Sequence, residues 1–225
     1  MSDDRPVLYR ASGPVTLVGG GPVPADRLAA ALALAPEVVA ADGGGDVALP
    51  GGARLRAAIG DMDSLAGAER LRAAGVPVHR IAEQDTTDLE KCLYSVEAPL
   101  YLAVGFLGGR LDHTLAALTA LARRPAGRVL LIGAEDVAFL CPVRWQAALP
   151  AGARVSLWPL GPVEGRSGGL RWPIDGLSFR PDLRTGTSNE ATGGPVSLEF
   201  DAPRMIVLLP ADLLGLAVAS VRGAG

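Results

Sequence analysis

Residues 59–91 read IGDMDSLAGAERLRAAGVPVHRIAEQDTTDLEK, and this stretch decides the fold because each of its two aspartate clusters lies between an apolar run and a helix-like run. Gly60-Asp61-Met62-Asp63-Ser64 follows Ala57-Ala58-Ile59, and Gln84-Asp85-Thr86-Thr87-Asp88 follows Val76 to Ile81. Read as parallel strands, the two runs bring both clusters to strand C-terminal ends, where open α/β sheets bind their ligands. Four carboxylates on one rim resist joint ionisation unless a cation sits among them, so an oxygen-liganded divalent metal, magnesium first, is expected.

Working outward, the same alternation recurs. Val15 to Val18 runs into Gly19-Gly20-Gly21 and a helix opened by Pro24-Ala25-Asp26; Glu37 to Ala41 delivers Asp42 to Gly43-Gly44-Gly45. Ser64 can cap a helix that ends at Gly75, and Thr87-Asp88-Leu89-Glu90 fits a capping box ahead of the stripe Leu89, Cys92, Leu93, Val96. Leu100 to Val104 leads through Gly108-Gly109-Arg110-Leu111-Asp112-His113 to a helix from Thr114 to Arg123, and Val129 to Ile132 is a sixth strand. Six alternations predict a doubly wound parallel sheet with helices on both faces, over residues 1–133. From residue 134 to 225 short apolar runs (Val137 to Leu140, Val155 to Trp158, Val196 to Phe200, Met205 to Leu209) broken by Gly and Pro predict a smaller antiparallel domain. The tail from Leu213 to Val221 reads as a last strand or a short packed helix.

Composition narrows the function classes. A net charge of −3 without clustered cations argues against a nucleic-acid surface. Neither a signal-like start nor an apolar run of spanning length is present, so a cytoplasmic protein without membrane contact is expected. Cys92 and Cys141 lie far apart without metal-ligand spacing, which predicts buried thiols. Among 21 Lys and Arg residues the one lysine is Lys91, three residues after Asp88, which hints at a positional need; a solvated helix lysine is the bland alternative.

Each motif also has a structural reading. Gly43-Gly44-Gly45-Asp46-Val47-Ala48 matches the letters of a dinucleotide fingerprint, yet Pro50-Gly51-Gly52 cuts its helix short and Asp42 would face the phosphates unpaired. Taken instead as a carboxylate followed by glycines, it lets a nucleotide approach the backbone. Thr87 and Asp88 could merely start a helix, and Asp112 could merely cap one. Arg110 offers a guanidinium to phosphate oxygens, while His79 and His113 read as structural.

Together these motifs resemble the thiamine pyrophosphokinase family: ADGGG at Ala41 to Gly45, GDMDS at Gly60 to Ser64, QDTTDLEKCL at Gln84 to Leu93 and GGRLDHTLAAL at Gly108 to Leu118. Gly169-Leu170-Arg171-Trp172-Pro173-Ile174 looks like that family's GLKWPL segment and Gly186 to Glu190 like its GxSNE segment, in the correct order; Met62 replaces a frequent Phe and Ala117 a common Asn.

The resemblance implies transfer of a diphosphate group from ATP to the thiamine hydroxyl, giving thiamine diphosphate and AMP. It also implies an α/β catalytic domain that binds ATP and Mg²⁺, and a thiamine-binding β-sandwich. Carried over, Asp42, Asp61, Asp63 and Asp88 bind Mg²⁺ and position the ATP phosphates, with Arg110 and Asp112 completing the rim. Gly43, Gly44, Ser64, Thr87 and Lys91 join the nucleotide contacts; Gln84 and Trp172 flank the thiamine rings, and Ser188 and Asn189 line that pocket. A homodimer with the active site shared between chains follows from the same resemblance. The readings from other classes are a pyrophosphokinase acting on a pterin alcohol, an aspartyl phosphatase, and a non-catalytic nucleotide-binding protein. On the residues alone Trp172 would be a core residue of the β domain.

Overall fold

The computed structural model describes residues 5–48, 53–62 and 67–222, and the chain divides into two compact units. One comprises the residues up to Ala120 with Leu131–Ala134; the other comprises Leu121–Leu130 and the residues from Glu135 onward.

In chain order the first elements are β1 (Tyr9–Arg10), β2 (Val15–Val18), α1 (Ala25–Leu34), β3 (Glu37–Ala41), α2 (Gly44–Ala48) and β4 (Arg54–Gly60). There follow α3 (Ala68–Ala73), β5 (Val78–Arg80), α4 (Asp88–Ser95), β6 (Val96–Glu97), β7 (Tyr101–Val104), α5 (Leu111–Leu121) and β8 (Val129–Ile132). Strands pair in parallel in the order β7-β2-β3-β4-β5. Thr16 lies opposite both Val38 and Leu102. The chain order reverses between β2 and β7, which makes the crevice beyond their C-terminal ends the topological switch point of the sheet. The central strands β2 and β7 are buried along their whole length, as strands covered on both faces are. Leu17, Val39, Ile59 and Leu102 are fully buried, each worth roughly 1.5–3 kcal/mol relative to exposure.

The helix expected from Ser64 to Gly75 is α3, only six residues long. Gly67 stands at its N-cap without a side-chain cap, and Ser64 lies outside the described residues. Its Leu71 seals a cluster with Ala40 and Ala58. Helix α5 starts at Leu111 rather than Thr114, so Asp112 sits within its first turn and does not precede it.

The second unit contains β9 (Asp136–Leu140), β10 (Arg144–Leu149), β11 (Arg154–Pro159), β12 (Val163–Gly168), β13 (Leu177–Phe179), β14 (Gly186–Glu190), β15 (Gly194–Phe200), β16 (Met205–Pro210) and α6 (Leu214–Arg222). Antiparallel pairing gives one sheet β14-β11-β16-β9 and another β10-β15-β12-β13. Strict alternation along β10 buries Trp145, Ala147 and Leu149. Trp145 meets Phe139 of the other sheet at 5.8 Å between ring centroids, the contact of a sandwich core. The tail is helical: α6 buries Leu214, Ala217 and Val218, and Trp145 Nε1 donates to Ser220 Oγ at 2.8 Å.

Candidate active site

Glycines close the switch crevice. A Cβ on Gly19, after β2, would lie 2.6 Å from the Gly105 carbonyl oxygen after β7, and one on Gly105 would lie 2.6 Å from that of Gly19. Gly105 also has φ +79°, so only glycine serves there. A Cβ on Gly44 would fall 1.8 Å from the Val18 carbonyl, which fixes α2 against the end of β2. The backbone is thus bare where three strand ends meet.

Asp42 stands at the end of β3 with φ +44°, a conformation that aspartate tolerates better than most residues. It is 4% exposed, and its Oδ1 is buried without a hydrogen-bond partner. A Cβ on Gly60 would come 2.8 Å from the Asp42 Cβ, so the glycine of the GDMDS motif makes room for this carboxylate. Asp61 follows directly. Its Oδ2 accepts from Gln84 Nε2 at 3.2 Å, and its carbonyl accepts from Arg80 Nε at 3.1 Å. Asp63 and Ser64 lie outside the described residues.

Helix α4 brings the second cluster. Its capping box forms as the letters predict: Thr87 Oγ1 accepts from the Glu90 N–H at 3.3 Å, and Glu90 Oε2 accepts from the Thr87 N–H at 3.0 Å. Leu89, Cys92 and Leu93 bury the apolar stripe. Lys91 is buried as well, only 2% exposed, so the solvated-lysine reading is excluded. Its Nζ lies 3.7 Å from Asp61 Oδ2 and 3.6 Å from Asp88 Oδ1. Burial, then the negative charge of Asp42, holds the Asp88 carboxyl above the ordinary aspartate range; Asp61 adds to this and Lys91 opposes it.

Asp42 and Asp61 therefore both act on Asp88, and Asp61 and Asp88 share one buried ammonium. The unpartnered Asp42 Oδ1 and this repulsion suit a bound cation, as hard oxygen donors suit magnesium. Among the described residues, no three carboxylate, imidazole or thiolate side chains are already gathered at ligand distance.

Arg110 and Asp112 are exposed and pair with each other, Nε to Oδ1 at 3.1 Å and Nη2 to Oδ2 at 2.6 Å. The guanidinium holds the Asp112 carboxyl below its usual range. Burial pushes both cysteine thiols up, which leaves Cys92 and Cys141 as inert core groups.

In the second unit Trp172 is 52% exposed and is not a core residue. Asn189 holds it by the backbone, with Oδ1 accepting from the Trp172 N–H at 3.2 Å and Nδ2 donating to the Trp172 carbonyl at 2.7 Å. Arg171 lies over the indole, 4.9 Å from the centroid. Ser188 takes φ +60° and donates its N–H to Ser156 Oγ at 3.0 Å. Two of the residues expected in the second-domain pocket, Trp172 and Asn189, are therefore joined locally. The grip of Asn189 on Trp172, invisible in the letters, would be suggested only by a small amide beside a strained residue.

An α/β unit with Asp42 and Asp61 at its strand ends and a separate antiparallel β unit define a two-unit class of protein with a parallel and an antiparallel half. Residues 29–131 match the family described as thiamin pyrophosphokinase, catalytic domain. Thiamine pyrophosphokinase 1 of Arabidopsis thaliana is 31% identical over 137 residues, 53% of this chain and 51% of that protein. Thiamine pyrophosphokinase 1 of rice, Oryza sativa subsp. japonica, is 30% identical over 162 residues, 64% of this chain and 61% of that protein. The chain spans about half the length of the curated relatives it matches. The crystal structure of yeast thiamin pyrophosphokinase superposes with a TM-score of 0.75, covering 93% of each chain at 16% identity, a likeness of fold. Over residues 29–131 the chain is thus similar to the catalytic domain of the thiamin pyrophosphokinase family.

Proposed function

We propose that the protein is a thiamine diphosphokinase, an ATP-dependent diphosphotransferase that forms thiamine diphosphate and AMP. The observation that carries this reading is the pair Asp61 and Asp88 on buried Lys91, with Asp42 acting on Asp88, beside glycines that bare the backbone, in a chain whose residues 29–131 match this family's catalytic domain. The thiamine hydroxyl oxygen attacks the β-phosphorus, the bond from that phosphorus to the α–β bridging oxygen breaks, AMP leaves, and the hydroxyl proton passes to a rim carboxylate or to solvent. Magnesium, when bound, offsets charge on the oligophosphate.

Asp42, Asp61, Asp63 and Asp88 are assigned to the metal, and Gly43, Gly44, Ser64, Thr87 and Lys91 to the nucleotide. Arg110 and Asp112 would part to admit phosphate oxygens, since each is exposed and held by the other. Residues 1–133 are assigned ATP and metal binding. The acceptor contacts Trp172, Ser188 and Asn189 lie within 134–225, and Gln84 is the further acceptor contact. The exposed indole supports a cation–π platform for the cationic rings. Asn189 has both ends of its amide on the Trp172 backbone, so it would serve the pocket by holding that platform.

A homodimer and a cytoplasmic location belong to the same proposal; no helix among the described residues is long and apolar enough to cross a membrane. Incubation with ATP, Mg²⁺ and thiamine, followed by chromatography of the nucleotides, should give AMP and thiamine diphosphate in equal amounts. AMP release with a hydroxymethylpterin but not with thiamine would move the assignment to the pterin alternative. Release with neither would leave a nucleotide-binding protein.

A further inference from the structure

The turn that precedes α4 closes on one side chain that neither the motif nor the proposed chemistry uses. Glu83 Oε2 accepts from the Asp85 N–H at 2.7 Å and from the Thr86 N–H at 3.0 Å. Its Oε1 accepts from the Thr86 hydroxyl and from the Tyr94 hydroxyl, the latter at 3.0 Å. Four donors thus fill the carboxylate, leaving little capacity for a substrate. Tyr94 lies a helix away, near the end of α4, and Arg5 stacks on its ring at 4.3 Å. Between the residues so gripped stands Gln84, exposed, with its amide 3.2 Å from Asp61 Oδ2.

We infer that Glu83 is a positioning residue that folds the 83–86 turn onto α4 and thereby aims Gln84 at the acceptor and keeps it on Asp61. The inference rests on the reading of Gln84 as an acceptor contact. Helix α4 has its own capping box, so Thr87, Asp88 and Lys91 keep their places without Glu83. Loss of Glu83 therefore falls on the acceptor side of the reaction. The carboxyl is held below the ordinary glutamate range by its hydrogen bonds, against burial, in keeping with a filled acceptor site.

The chemistry of the four donors sets the test. Glu83→Ala removes every acceptor from the turn. Glu83→Gln can keep all four contacts, its oxygen taking the two N–H groups and its NH₂ donating to hydroxyls that turn to accept. In the full-length protein, Glu83→Ala should raise the thiamine KM about tenfold, the scale of a lost hydrogen bond to a charged group, and change the ATP KM by less than about twofold. Glu83→Gln should recover most of that loss. Hydrogen exchange of the Asp85 and Thr86 amides, protected in the wild type and in Glu83→Gln, should accelerate at least about tenfold in Glu83→Ala.

Unchanged amide exchange in Glu83→Ala, equal KM changes for both substrates, or a glutamine variant as impaired as the alanine one would each overturn the inference. If Glu83→Ala does not fold, Glu83→Asp, one methylene shorter and unable to span all four donors, takes its place with the same expected split. A wild-type protein that releases no AMP with thiamine would instead sink the functional reading; the amide exchange would still decide whether Glu83 folds the turn.

Discussion

Lys91 carries its ammonium 3.7 Å from Asp61 Oδ2 from a position that is almost wholly buried, so the one lysine of the chain sits where a cation is needed most. Asp88 Oδ1 is its other partner at 3.6 Å. An ammonium can share such a slot because it is a compact point charge, whereas a guanidinium needs a planar space.

Lys91→Met should abolish turnover and lower unfolding free energy by about 2 kcal/mol, below the usual cost of breaking a buried pair because both acids keep some exposure. Adding Asp61→Asn should return part of the stability and none of the activity. Urea titrations of the two single variants and the double variant measure the coupling. A double variant no more stable than additivity allows would show that Lys91 and Asp61 do not hold each other.

Asp42→Asn keeps shape and tolerance of the positive φ while removing charge from the unpartnered buried oxygen. Turnover should fall by at least about a hundredfold, the scale on which single electrostatic contacts act in catalysis. The thermal midpoint of the metal-free protein should hold or rise, because Asp42 bears on Asp88. Near-normal activity would remove Asp42 from the site.

Asn189→Ala takes away both hydrogen bonds that fix the Trp172 backbone. The thiamine KM should rise about tenfold, with a smaller change for ATP, and indole fluorescence should lose its response to thiamine. A normal thiamine KM would mean that the platform needs no clamp.

Much of this was legible beforehand because it rests on local rules. The capping box at Thr87 and Glu90 and the apolar run Ala57 to Ile59 ahead of the first aspartate cluster depend on neighbours in sequence. Other features depend on partners far away. Strand β12, VEGRSG, has hardly any apolar signal and exists because β13 and β15 pair with it on either side. The burial of Lys91 and the exposure of Trp172 run against the habits of their residue types. Gly67, just before helix α3, lies against Asp46, which Arg70 holds at 3.0 Å, a contact no local pattern contains.

Asp88 supplies the pH test. Its carboxyl is raised by burial first, then by Asp42 and Asp61, and the favourable helix N-terminus and Lys91 do not overcome this. The folded protein therefore holds that proton more tightly than the unfolded chain. Stability from this group is full below the ordinary aspartate pKa and is lost as pH rises through the raised folded value. In chelator-treated protein, Asp88→Asn should melt at a higher temperature than wild type at neutral pH, and the gap should close as the solution is acidified below the ordinary aspartate range. Added Mg²⁺ should stabilise the wild type and leave the variant little changed. A pH series of melting curves, with and without Mg²⁺, reads both effects; equal midpoints at neutral pH without metal would show that Asp88 carries no such penalty.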